Sequence, residues 1–502
     1  MNNKPGSKLV ALLAFLALIT TACTGRFPAR LLSKQSDNVQ ILAPVESFAP
    51  VAGPETVGGV PIQPGQPGQP GLSPSASPGT KKIPPRIIAK TESGTTVTQA
   101  PGGLPKADIW PDSQDRVGIS ASNIDLCMHA AFSLGPIFDA NPEDEKVYWQ
   151  ALNDAGGIYG RKVTLHFEDD AYTAAGAEQA MARCALKNPF LYIGGVGFDQ
   201  APAARQWAET HAKPYLYNIA VEPITPLKYS FSLLPSIQTN GKVLGQFVAN
   251  RFQGKKVGAI YVDTDNWRAG FNKFQDELIK KGMKVEDGHA YKIANNNEST
   301  FGPFIDKMKA DGIEVVDAYI NALALDRFLL QADSAGFHPV VVSPDGFDLV
   351  TDTMGNGEQG DGTDHLRNFA GIYAAWVGPT YEMGPPADKD NKSVAWYAEM
   401  EKMKAAYATY KPLKTPNDVD WAFWLYSKTL HKILLDCSKD CSRNILAGLF
   451  LTGYKTETVG CPIDFSLGSG RVGGHYHNIW QAKPAGINKS FWRQIETCKR
   501  DF

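Results

Sequence analysis

The feature that most constrains the fold is an alternation of apolar runs and helix-like segments, which the chain carries out twice. In the first half the apolar runs are NIDLCMHAAF, VTLHFED, FLYIGG and KPYLYNIA, and in the second half they are KVGAIYVDTD, KVEDGHAYKI, VVDAYIN and HPVVVSPDG. Strands that alternate with helices at this spacing predict parallel, doubly wound sheets. We therefore expect an α/β protein with two lobes, and a ligand site beyond the carboxyl ends of the strands.

Three glycines in the stretch WQALNDAGGIYGRKVTLHFEDDAY raise the question of a phosphate site. The residues NPEDEKVYWQALNDA predict a helix, so Gly156 and Gly157 fall at its C-terminal end, and Gly160 opens the next strand. Phosphate loops need the opposite order, with glycines between a strand and the N-terminus of a helix. We therefore predict that these glycines form a turn.

A second glycine cluster, in LYIGGVGFDQAPAARQWAE, does run from strand to glycines to helix. Gly194, Gly195 and Gly197 would let a ligand approach backbone N–H groups near the start of that helix. The segment is neither GxGxxG nor a P-loop with its Lys and Ser or Thr, so we do not expect a nucleotide cofactor. A small polar or anionic ligand is compatible with it.

The N-terminus has the layout of an export signal. Lysines in MNNKPGSK are followed by the apolar run LVALLAFLALITTA and then by Cys23. The run is too short to span a bilayer, and ITTAC resembles the lipobox of bacterial lipoproteins, whose cysteine becomes the lipidated first residue. We predict a signal peptide over residues 1–22 and acylation of Cys23, with an ordinary signal peptide and a chance cysteine as the alternative.

Residues 23–115 form the next segment, which begins at the lipidated cysteine. The composition shifts to Pro, Gly and Ser, as in PVAGPETVGGVPIQPGQPGQPGLSPSASPGTKKIPP, and there is no sustained apolar period. A segment of this kind buries too little surface to offset the entropy that ordering costs. We predict a disordered tether that holds a globular head away from a lipid surface.

The remaining cysteines indicate an oxidising compartment. The chain has 7 cysteines, so an even number remains after Cys23, and six cysteines in an exported chain suggest three disulfides with fifteen possible pairings. The pairs that we favour are Cys437 with Cys441, Cys461 with Cys498 and, by elimination, Cys127 with Cys184. A zinc site is the alternative, but the sequence has no CxxC motif and no Cys/His cluster of ligand spacing.

The charge balance and the catalytic motifs narrow the possible functions. Lys and Arg number 50 against 52 acidic residues, so the formal net charge of -2 gives no electrostatic footprint for nucleic acid. The sequence has no GxSxG elbow and no HExxH motif. His475 and His477 lie two residues apart on an apparent strand, a spacing that places both side chains on one face of a sheet and is typical of ordinary strands. The carboxylates Asp169 and Asp170 stand at a strand end, and the sequence supplies no nucleophile paired with a base. We expect neither an enzyme nor a cofactor or metal.

The segment ALNDAGGIYGRKVTLHFEDDAY resembles the NAAGGINGRKIELVVEDD segment of the solute-binding proteins for branched-chain amino acids that feed ABC importers. These proteins have the type I periplasmic-binding-protein fold. Further matches keep the family's order, namely KVGAIYVDTDNWRAGF, FGPFIDKMKADGIEVVDAYI, AWYAEMEKMKAAYA and DWAFWLYSKTLHKILLDC. The resemblance covers the chain from about Val117 to near the C-terminus.

The resemblance implies two doubly wound lobes joined by three crossover strands. The crossings are expected near residues 233–241, 370–376 and 474–480. Lobe 1 then comprises residues 116–236 with 373–475, and lobe 2 comprises residues 237–372 with 476–502. Closure of the lobes about these strands would bury a small ligand, and a membrane permease of an ABC importer would recognise the closed form.

The resemblance also suggests ligand-binding positions. In the family's amino-acid binders, hydroxyl side chains after the third and fourth strands hold the α-carboxylate of the ligand. Phe198 and Val221 stand at those positions here, so the carboxylate clamp is altered. Asp345, in the segment SPDG, matches the acid that takes the ligand's ammonium group.

Two aromatic residues and one acid complete the expected site. Trp267 matches an aromatic position of the second lobe, and Phe138 falls near the first-lobe aromatic. Asp199 is either a ligand contact or the N-cap of the helix that begins at Ala201. The expected function is an extracytoplasmic, lipid-anchored solute-binding component of an ABC importer for a small polar solute, an amino acid or a related amine or amide. The alternatives are a ligand-sensing receptor module of the same fold and a secreted α/β enzyme.

Overall fold

The computed structural model describes residues 86–91, 94–100, 102–133, 142–144, 146–195, 197, 199–217, 227–344, 369, 371–378, 391–467, 469–486 and 489–500. Internal contacts divide the chain into Met1–Lys81 and Lys82–Phe502, and every described residue lies in the second unit. The predicted signal peptide and Cys23 lie outside the described residues. Within the described part, no helix has both the length and the apolar character that a membrane span needs.

The first sheet has five parallel strands in the order β5-β4-β6-β7-β8. The strands are β4 Asn123–Ala130, β5 Lys162–Asp169, β6 Leu191–Gly194, β7 Tyr215–Tyr217 and β8 Ser230–Ser232. The helices between them are α2 Val147–Asp154, α3 Ala174–Ala185 and α4 Gln200–Thr210. Strands β6, β7 and β8 are buried along their whole length, as the continuous apolar strands of a parallel sheet covered on both faces should be.

The second sheet has seven strands in the order β10-β9-β11-β12-β13-β16-β17. The first five are parallel, namely β9 Val257–Val262, β10 Val285–Ile293, β11 Val315–Tyr319, β12 Val340–Ser343 and β13 Ile372–Trp376. The antiparallel strands β16 Tyr476–Gly486 and β17 Lys489–Arg500 extend one edge. The helices of this sheet are α5 Ile237–Arg251, α6 Asp265–Lys280, α7 Gly302–Ala310 and α8 Ala322–Ser334. The prediction of two doubly wound α/β lobes is confirmed.

Three helices near the C-terminus return to the first lobe. They are α9 Asn391–Tyr410, α10 Asp418–Asp436 and α11 Arg443–Leu451, and they precede the short strands β14 Lys455–Thr456 and β15 Ile463–Asp464. Asn417 caps α10 by a capping box with Asp420, and the Ser442 hydroxyl caps α11. Phe423 of α10 and Phe450 of α11 pack into the same core as the strands of the first sheet.

The chain passes between the two sheets at three places. The first crossing joins β8 to α5 through Leu233, Leu234 and Pro235, and the second leaves β13 after Trp376. The third lies at residues 472–476, where Val472 bridges to Ser232 of β8 and the chain then enters β16. These three connections are the segments about which the lobes would close.

The described residues between 86 and 115 are folded, although the sequence predicts a tether as far as residue 115. They form β1 Ile87–Lys90, β2 Thr96–Gln99, β3 Pro105–Ala107 and the single turn α1 Asp112–Asp115. The backbone N–H groups of Ile109 and Trp110 donate to Oδ1 of Asn444 at the start of α11. Val97, Ala107, Ile109 and Trp110 are buried, so this stretch has core positions that its Pro- and Gly-rich surroundings conceal. The tether prediction is wrong for these residues.

The three disulfides join the pairs that the sequence predicts. Cys127 of β4 bonds to Cys184 of α3, with a Cα–Cα distance of 5.7 Å. Cys437 bonds to Cys441 between α10 and α11, and Cys461 bonds to Cys498 of β17. The Cα–Cα distances of these two pairs are 5.0 Å and 5.3 Å. All three Cα–Cα distances lie in the ordinary range for disulfides.

The first glycine cluster forms the predicted turn after α2. Gly156, Gly157 and Gly160 have φ values of 106°, 69° and 78°, a region that favours glycine. The N–H of Gly157 donates to the carbonyl of Leu152, which closes the C-terminal end of α2. A Cβ on Gly157 would lie 2.0 Å from the carbonyl oxygen of Arg161, whereas a Cβ on Gly160 would meet nothing within 4 Å.

We expect Gly157→Ala to lower the free energy of unfolding by about 3 kcal/mol, because the alanine adds a backbone clash to the cost of a positive φ. Gly160→Ala is the matched control, and its positive φ alone should cost about 1–2 kcal/mol. Urea denaturation of both variants and the wild type measures the difference. Equal losses in the two variants would contradict the role of the close approach at Gly157.

A carboxyl group lies inside the second lobe. Asp317, in the middle of β11 between Ala259 of β9 and Val342 of β12, is 0% exposed. Neither carboxyl oxygen has a hydrogen-bond partner among the described residues. Burial raises the pKa of Asp317 well above its usual range, so the folded state holds this side chain in its neutral form.

We expect Asp317→Val to raise the free energy of unfolding at pH 7 by about 2 kcal/mol, because it removes a buried polar group without a partner. The pH dependence has a defined sign. The folded state keeps a proton that the unfolded state releases, so the wild type loses stability as the pH rises above about 3.9. The gain from Asp317→Val should therefore be larger at pH 7 than at pH 4 in urea denaturation. A gain that shrinks with rising pH would contradict this protonation.

Candidate functional site

A cavity of about 100 Å³ lies where the chain crosses between the lobes. All three crossings contribute to its wall, through Leu233, Leu234 and Pro235, through Trp376, Val377 and Gly378, and through Gly474 and Tyr476. The first sheet adds Met128 and Gly195, α10 adds Ala422, Phe423, Leu425, Tyr426 and Thr429, and residues 458–463 close the remaining side. Movement of one lobe against the other would therefore reshape this cavity.

Glycines allow the close contacts between the crossings. A Cβ on Gly474, in the third crossing, would lie 2.2 Å from the carbonyl carbon of Leu234 in the first. A Cβ on Gly460 would lie 2.4 Å from the carbonyl oxygen of Val377 in the second. Real Cβ atoms do not approach backbone this closely, so the packing of the crossings around the cavity depends on these two glycines.

The loop at residues 458–463 is fixed to the second lobe. The N–H of Cys461 donates to the carbonyl of Val377 at 2.8 Å, and the Cys461–Cys498 disulfide ties the loop to β17. Asn478 of β16 completes the connection, because its Nδ2 donates to the Val377 carbonyl at 3.1 Å and its Oδ1 accepts from the N–H of Cys498 at 3.0 Å. The disulfide therefore holds one wall of the cavity against the second sheet.

The side chains of the wall are apolar, aromatic or hydroxylic. Among the described residues that line the cavity, none is Asp, Glu, Lys, Arg or His. The Thr429 hydroxyl donates to the carbonyl of Leu425 at 2.9 Å, and the Thr458 hydroxyl donates to the carbonyl of Cys461 at 2.8 Å. The Tyr426 hydroxyl is buried without a partner in the described part of the chain, and burial raises the pKa of Tyr426.

A buried chain of hydrogen bonds lies behind the first-lobe wall. His129, next to Met128 in β4, joins its Nδ1 to Oδ2 of Asp170 at 2.9 Å and its Nε2 to the hydroxyl of Tyr215 at 2.7 Å. The side chains of His129 and Asp170 are 0% exposed. Burial, together with the charge of the nearby Asp170 carboxylate, raises the pKa of Tyr215. With no solvent access, this arrangement fixes the strand ends and offers no reactive group to a ligand.

The acidic pair at the end of β5 has structural contacts. Asp169 Oδ1 accepts hydrogen bonds from the backbone N–H groups of Phe132, Ser133 and Ala171, and Asp170 Oδ1 accepts one from the N–H of Tyr172. Burial acts to raise the pKa of Asp169, but the hydrogen bonds outweigh it and lower this pKa. The two carboxylates therefore order the turn after β5.

Trp267 lies inside the second lobe. The helix α6 begins at Asp265, and its first turn directs the indole into the core, where it is 1% exposed and 6.5 Å from the ring of Tyr319. The residues that line the cavity do not include Trp267. Its predicted contact with a ligand stays a prediction.

Asp199 stands at the N-cap position of α4, but its side chain makes no cap hydrogen bond there. Its Oδ1 accepts instead from Nδ2 of Asn266, near the start of α6, at 3.0 Å. Because α4 belongs to the first sheet and α6 to the second, this bond joins the two lobes. The expected N-cap hydrogen bond is replaced by an interlobe contact.

The other predicted ligand residues, Phe138, Phe198, Val221 and Asp345, lie outside the described residues and stay predictions. Sequence reasoning missed the contribution of α10, whose residues Phe423 and Tyr426 line the cavity. The signal for it was the aromatic run DWAFWLYSKT, which reads equally well as core packing. The described part of the chain contains no group of three or more His, Cys, Asp or Glu residues that would hold a metal ion.

A curated protein is similar in sequence to part of this chain. Leu/Ile/Val-binding protein homolog 1 of Brucella abortus is 24% identical over 249 residues, which are 48% of this chain and 61% of that protein. The chain thus spans less than two thirds of the length of this curated relative.

Solved structures share the fold at low sequence identity. An ABC transporter substrate-binding protein from Desulfitobacterium hafniense in complex with Leu has a TM-score of 0.53 at 17% identity, over 74% of this chain and 100% of that one. A fatty acid ABC transporter substrate-binding protein from Thermomonospora curvata has a TM-score of 0.57 at 13% identity, over 80% of this chain and 96% of that one. A solute binding protein from Rhodopseudomonas palustris, in complex with 3,4-dihydroxy benzoic acid, has a TM-score of 0.55 at 16% identity, over 75% of this chain and 98% of that one.

The family itself follows from the sequence. A family model described as periplasmic binding protein matches residues 145–433 of the 502, which is more than half of the chain. The matched region runs from the start of α2 into α10, so it includes most of both sheets and two of the three crossings. The chain therefore belongs to the periplasmic binding protein family, whose members bind solutes.

Proposed function

We propose that this chain is the extracytoplasmic solute-binding component of an ABC importer, and that it captures a small solute between its lobes. The observation that carries the proposal is the cavity whose wall includes all three crossings, because only a ligand held there contacts both lobes and every connection between them. The hydrogen bond between Asp199 and Asn266 supports it, since the lobes already meet across the cleft. The permease of the importer would then recognise the closed form.

The solute class that the sequence suggests is an amino acid or a related amine or amide. Proteins that share this fold include a complex with leucine, a fatty acid transporter component and a complex with 3,4-dihydroxy benzoic acid, so the fold accepts both polar and largely apolar solutes. Trp267, Asp345, Phe138, Phe198, Asp199 and Val221 remain the proposed ligand contacts. A ligand-sensing receptor module of the same fold would use the same cavity without an importer.

A thermal-shift screen of the protein against amino acids, amides, aromatic acids and polyamines tests the proposal. A solute present at a hundred times its dissociation constant should stabilise the folded state by about 2.7 kcal/mol. The bound solute should be recovered chemically unchanged. Conversion of the solute would overturn the transport function in favour of an enzyme.

A matched pair of variants tests the location of the solute. Thr429 in the cavity wall and Thr409 on the exposed face of α9 each donate their hydroxyl to the carbonyl four residues earlier, at 2.9 and 3.0 Å. Thr429→Lys should weaken solute binding at least tenfold, because it places a cation in an uncharged wall. Thr409→Lys should leave binding unchanged. Equal affinities in the two variants would place the solute elsewhere.

Attachment through Cys23 is part of the same proposal, motivated by ITTAC behind an apolar run. We expect mass spectrometry to detect acylation of the wild type in its native host, and Cys23→Ser to abolish both the acyl mass and the membrane-bound fraction. An unchanged mass and an unchanged membrane fraction in Cys23→Ser would show that the protein is not a lipoprotein.

A further inference from the structure

We infer that strand β1 is a contact surface for an anionic phospholipid membrane, with its isoleucines entering the lipid interface and its cations meeting the headgroups. The surface, which we call the β1 patch, consists of the side chains of Arg86, Ile87, Ile88 and Lys90. It belongs to the small sheet β1-β2-β3, whose core positions pack into the first lobe. The inference goes beyond solute binding and can be tested without a solute.

The apolar part of the β1 patch is exposed at a β-bulge. The pairing of β1 with β2 shifts register between Ile87 and Ala89, so Ile88 is an extra residue on its strand. Ile87 is 65% exposed and Ile88 is 42% exposed, although regular alternation would turn one of two adjacent side chains to the opposite face. Two adjacent isoleucines therefore reach the surface at the edge of a sheet.

The charged part of the β1 patch has no counterion in the described part of the chain. Arg86 and Lys90 are exposed, and neither forms an ion pair with a described residue. Lys106 of β3, in the same small sheet, lies 3.1 Å from Asp115 and is neutralised by it. The β1 patch thus combines two positive charges that the fold leaves unpaired with two apolar side chains.

The surrounding sequence extends this charge. Between Glu55 and Glu92 the chain has no acidic residue, and its cations all fall in KKIPPRIIAK, residues 81–90. Cations of this kind are attracted to anionic headgroups, by about fivefold in affinity for each Lys or Arg near the surface. If Cys23 is acylated, residues 24–85 connect the bilayer to β1, and this connection raises the local concentration of lipid at the strand.

Leu413 provides a contrast within the same structure. Its side chain is fully exposed, and Lys411 and Lys414 are its neighbours in sequence. Both lysines lie near the carboxylate of Asp144, at 3.3 and 2.9 Å, so the fold already pairs their charges. Leu413 therefore offers apolar area without unpaired cations, and it should not attract an anionic surface.

Protection of the sheet edge is the simplest alternative explanation of the β1 patch. Edge strands commonly carry lysine and a bulge, which prevent pairing with other chains. This explanation accounts for Lys90 and for the bulge, but polar residues would serve it better than Ile87 and Ile88. A second copy of the strand is a poor occupant, because antiparallel pairing centred on Ile88 would place Arg86 opposite Lys90. An anionic lipid surface suits both parts of the patch.

Vesicle cosedimentation tests the inference. The chain from residue 24 to residue 502 is used, because it keeps the whole unit Lys82–Phe502 and lacks the apolar run and Cys23. We expect its partition coefficient to be at least tenfold higher on equimolar phosphatidylcholine and phosphatidylglycerol vesicles than on pure phosphatidylcholine vesicles. Added salt should reduce this difference. Equal partition onto the two kinds of vesicle would overturn the inference.

Paired variants locate the contact. Arg86→Glu with Lys90→Glu should reduce partition onto the anionic vesicles at least tenfold, because it reverses both charges. Ile87→Ser with Ile88→Ser should reduce it at least fivefold, because the apolar contact is lost. Leu413→Ser is the matched control and should leave partition unchanged. Unchanged partition in either double variant, or an equal loss in Leu413→Ser, would overturn the inference.

Two further measurements separate lipid binding from folding and from protein association. If a double variant fails to fold, the single substitution Lys90→Gln gives the same test, with an expected loss of about fivefold. Unchanged partition in Lys90→Gln would overturn the inference. Sedimentation velocity without lipid should show that the wild type and Ile87→Ser with Ile88→Ser have the same oligomeric state. Dimers that this double variant abolishes, together with no vesicle binding, would assign β1 to a protein partner and overturn the inference.

Discussion

Replacement of His129 by leucine should lower the free energy of unfolding by about 3–5 kcal/mol. The substitution would leave the Asp170 carboxyl and the Tyr215 hydroxyl without the imidazole that now bonds to both, at 2.9 and 2.7 Å. Asp170 is 0% exposed and Tyr215 is 1% exposed, so water cannot take the place of the ring. A buried polar group that loses its hydrogen-bond partner destabilises the folded state by its full free energy of desolvation.

A second His–Asp pair serves as the control. His338 Nε2 lies 2.8 Å from Asp333 Oδ1, but the His338 side chain is 40% exposed. His338→Leu should cost less than about 1 kcal/mol, because water and mobile ions replace an exposed pair. Urea denaturation of both variants measures the two losses. A loss in His129→Leu no larger than that in His338→Leu would contradict the structural role of the buried chain.

Removal of the Cys127–Cys184 disulfide should lower the free energy of unfolding by about 4 kcal/mol. The two cysteines are separated by 57 residues, and a crosslink over a loop of this length restricts the unfolded chain strongly. Both side chains are 0% exposed, so the test uses the double replacement by alanine and avoids burying a hydroxyl group. The measurement is urea denaturation under oxidising conditions.

The Cys437–Cys441 pair provides the matched comparison, because its cysteines are separated by only 4 residues. The same double replacement there should cost about 2 kcal/mol through loop closure. Equal losses for the two pairs would show that the restriction of the unfolded chain is not the main contribution. The disulfide would then act through packing in the folded state.

The alternation of strands and helices could be predicted from sequence because each element carries its own local signal. Buried parallel strands such as β9 are continuous apolar runs, and the turn after α2 has glycine where a positive φ is required. The disulfide Cys437–Cys441 was also predictable, since its two residues are close in sequence. Local chemistry is enough in all three cases.

The folded segment at residues 86–115 was not predictable, because its few core positions are stabilised by a distant helix. Ile109 and Trp110 are held by Asn444, more than three hundred residues away in sequence.

The direction of the Trp267 side chain was not predictable either. It follows a strand end, where binding residues are common, but the first turn of α6 directs its indole into the core. The direction of this side chain depends on the residue at which the helix begins, and a sequence does not determine that residue exactly.

The cavity was the least predictable feature. Its wall combines Leu234, Trp376, Phe423 and Tyr476, which come from four separated parts of the chain. No periodicity relates these residues, and each of them alone is typical of ordinary core packing. The resemblance to a known family supplied the three crossings, and only the structure shows that α10 completes the wall.

Hydrogen–deuterium exchange of the full chain, with and without the solute found by the screen, measures whether a solute is held between the lobes. A solute held between the lobes should slow exchange in all three crossings at once, at Leu233 and Leu234, at Trp376 and Val377, and at Tyr476. These residues line one cavity although they are far apart in sequence. Slowed exchange in all three segments is the expected result for a solute bound between the lobes. Protection confined to one lobe, with the crossings unchanged, would contradict it.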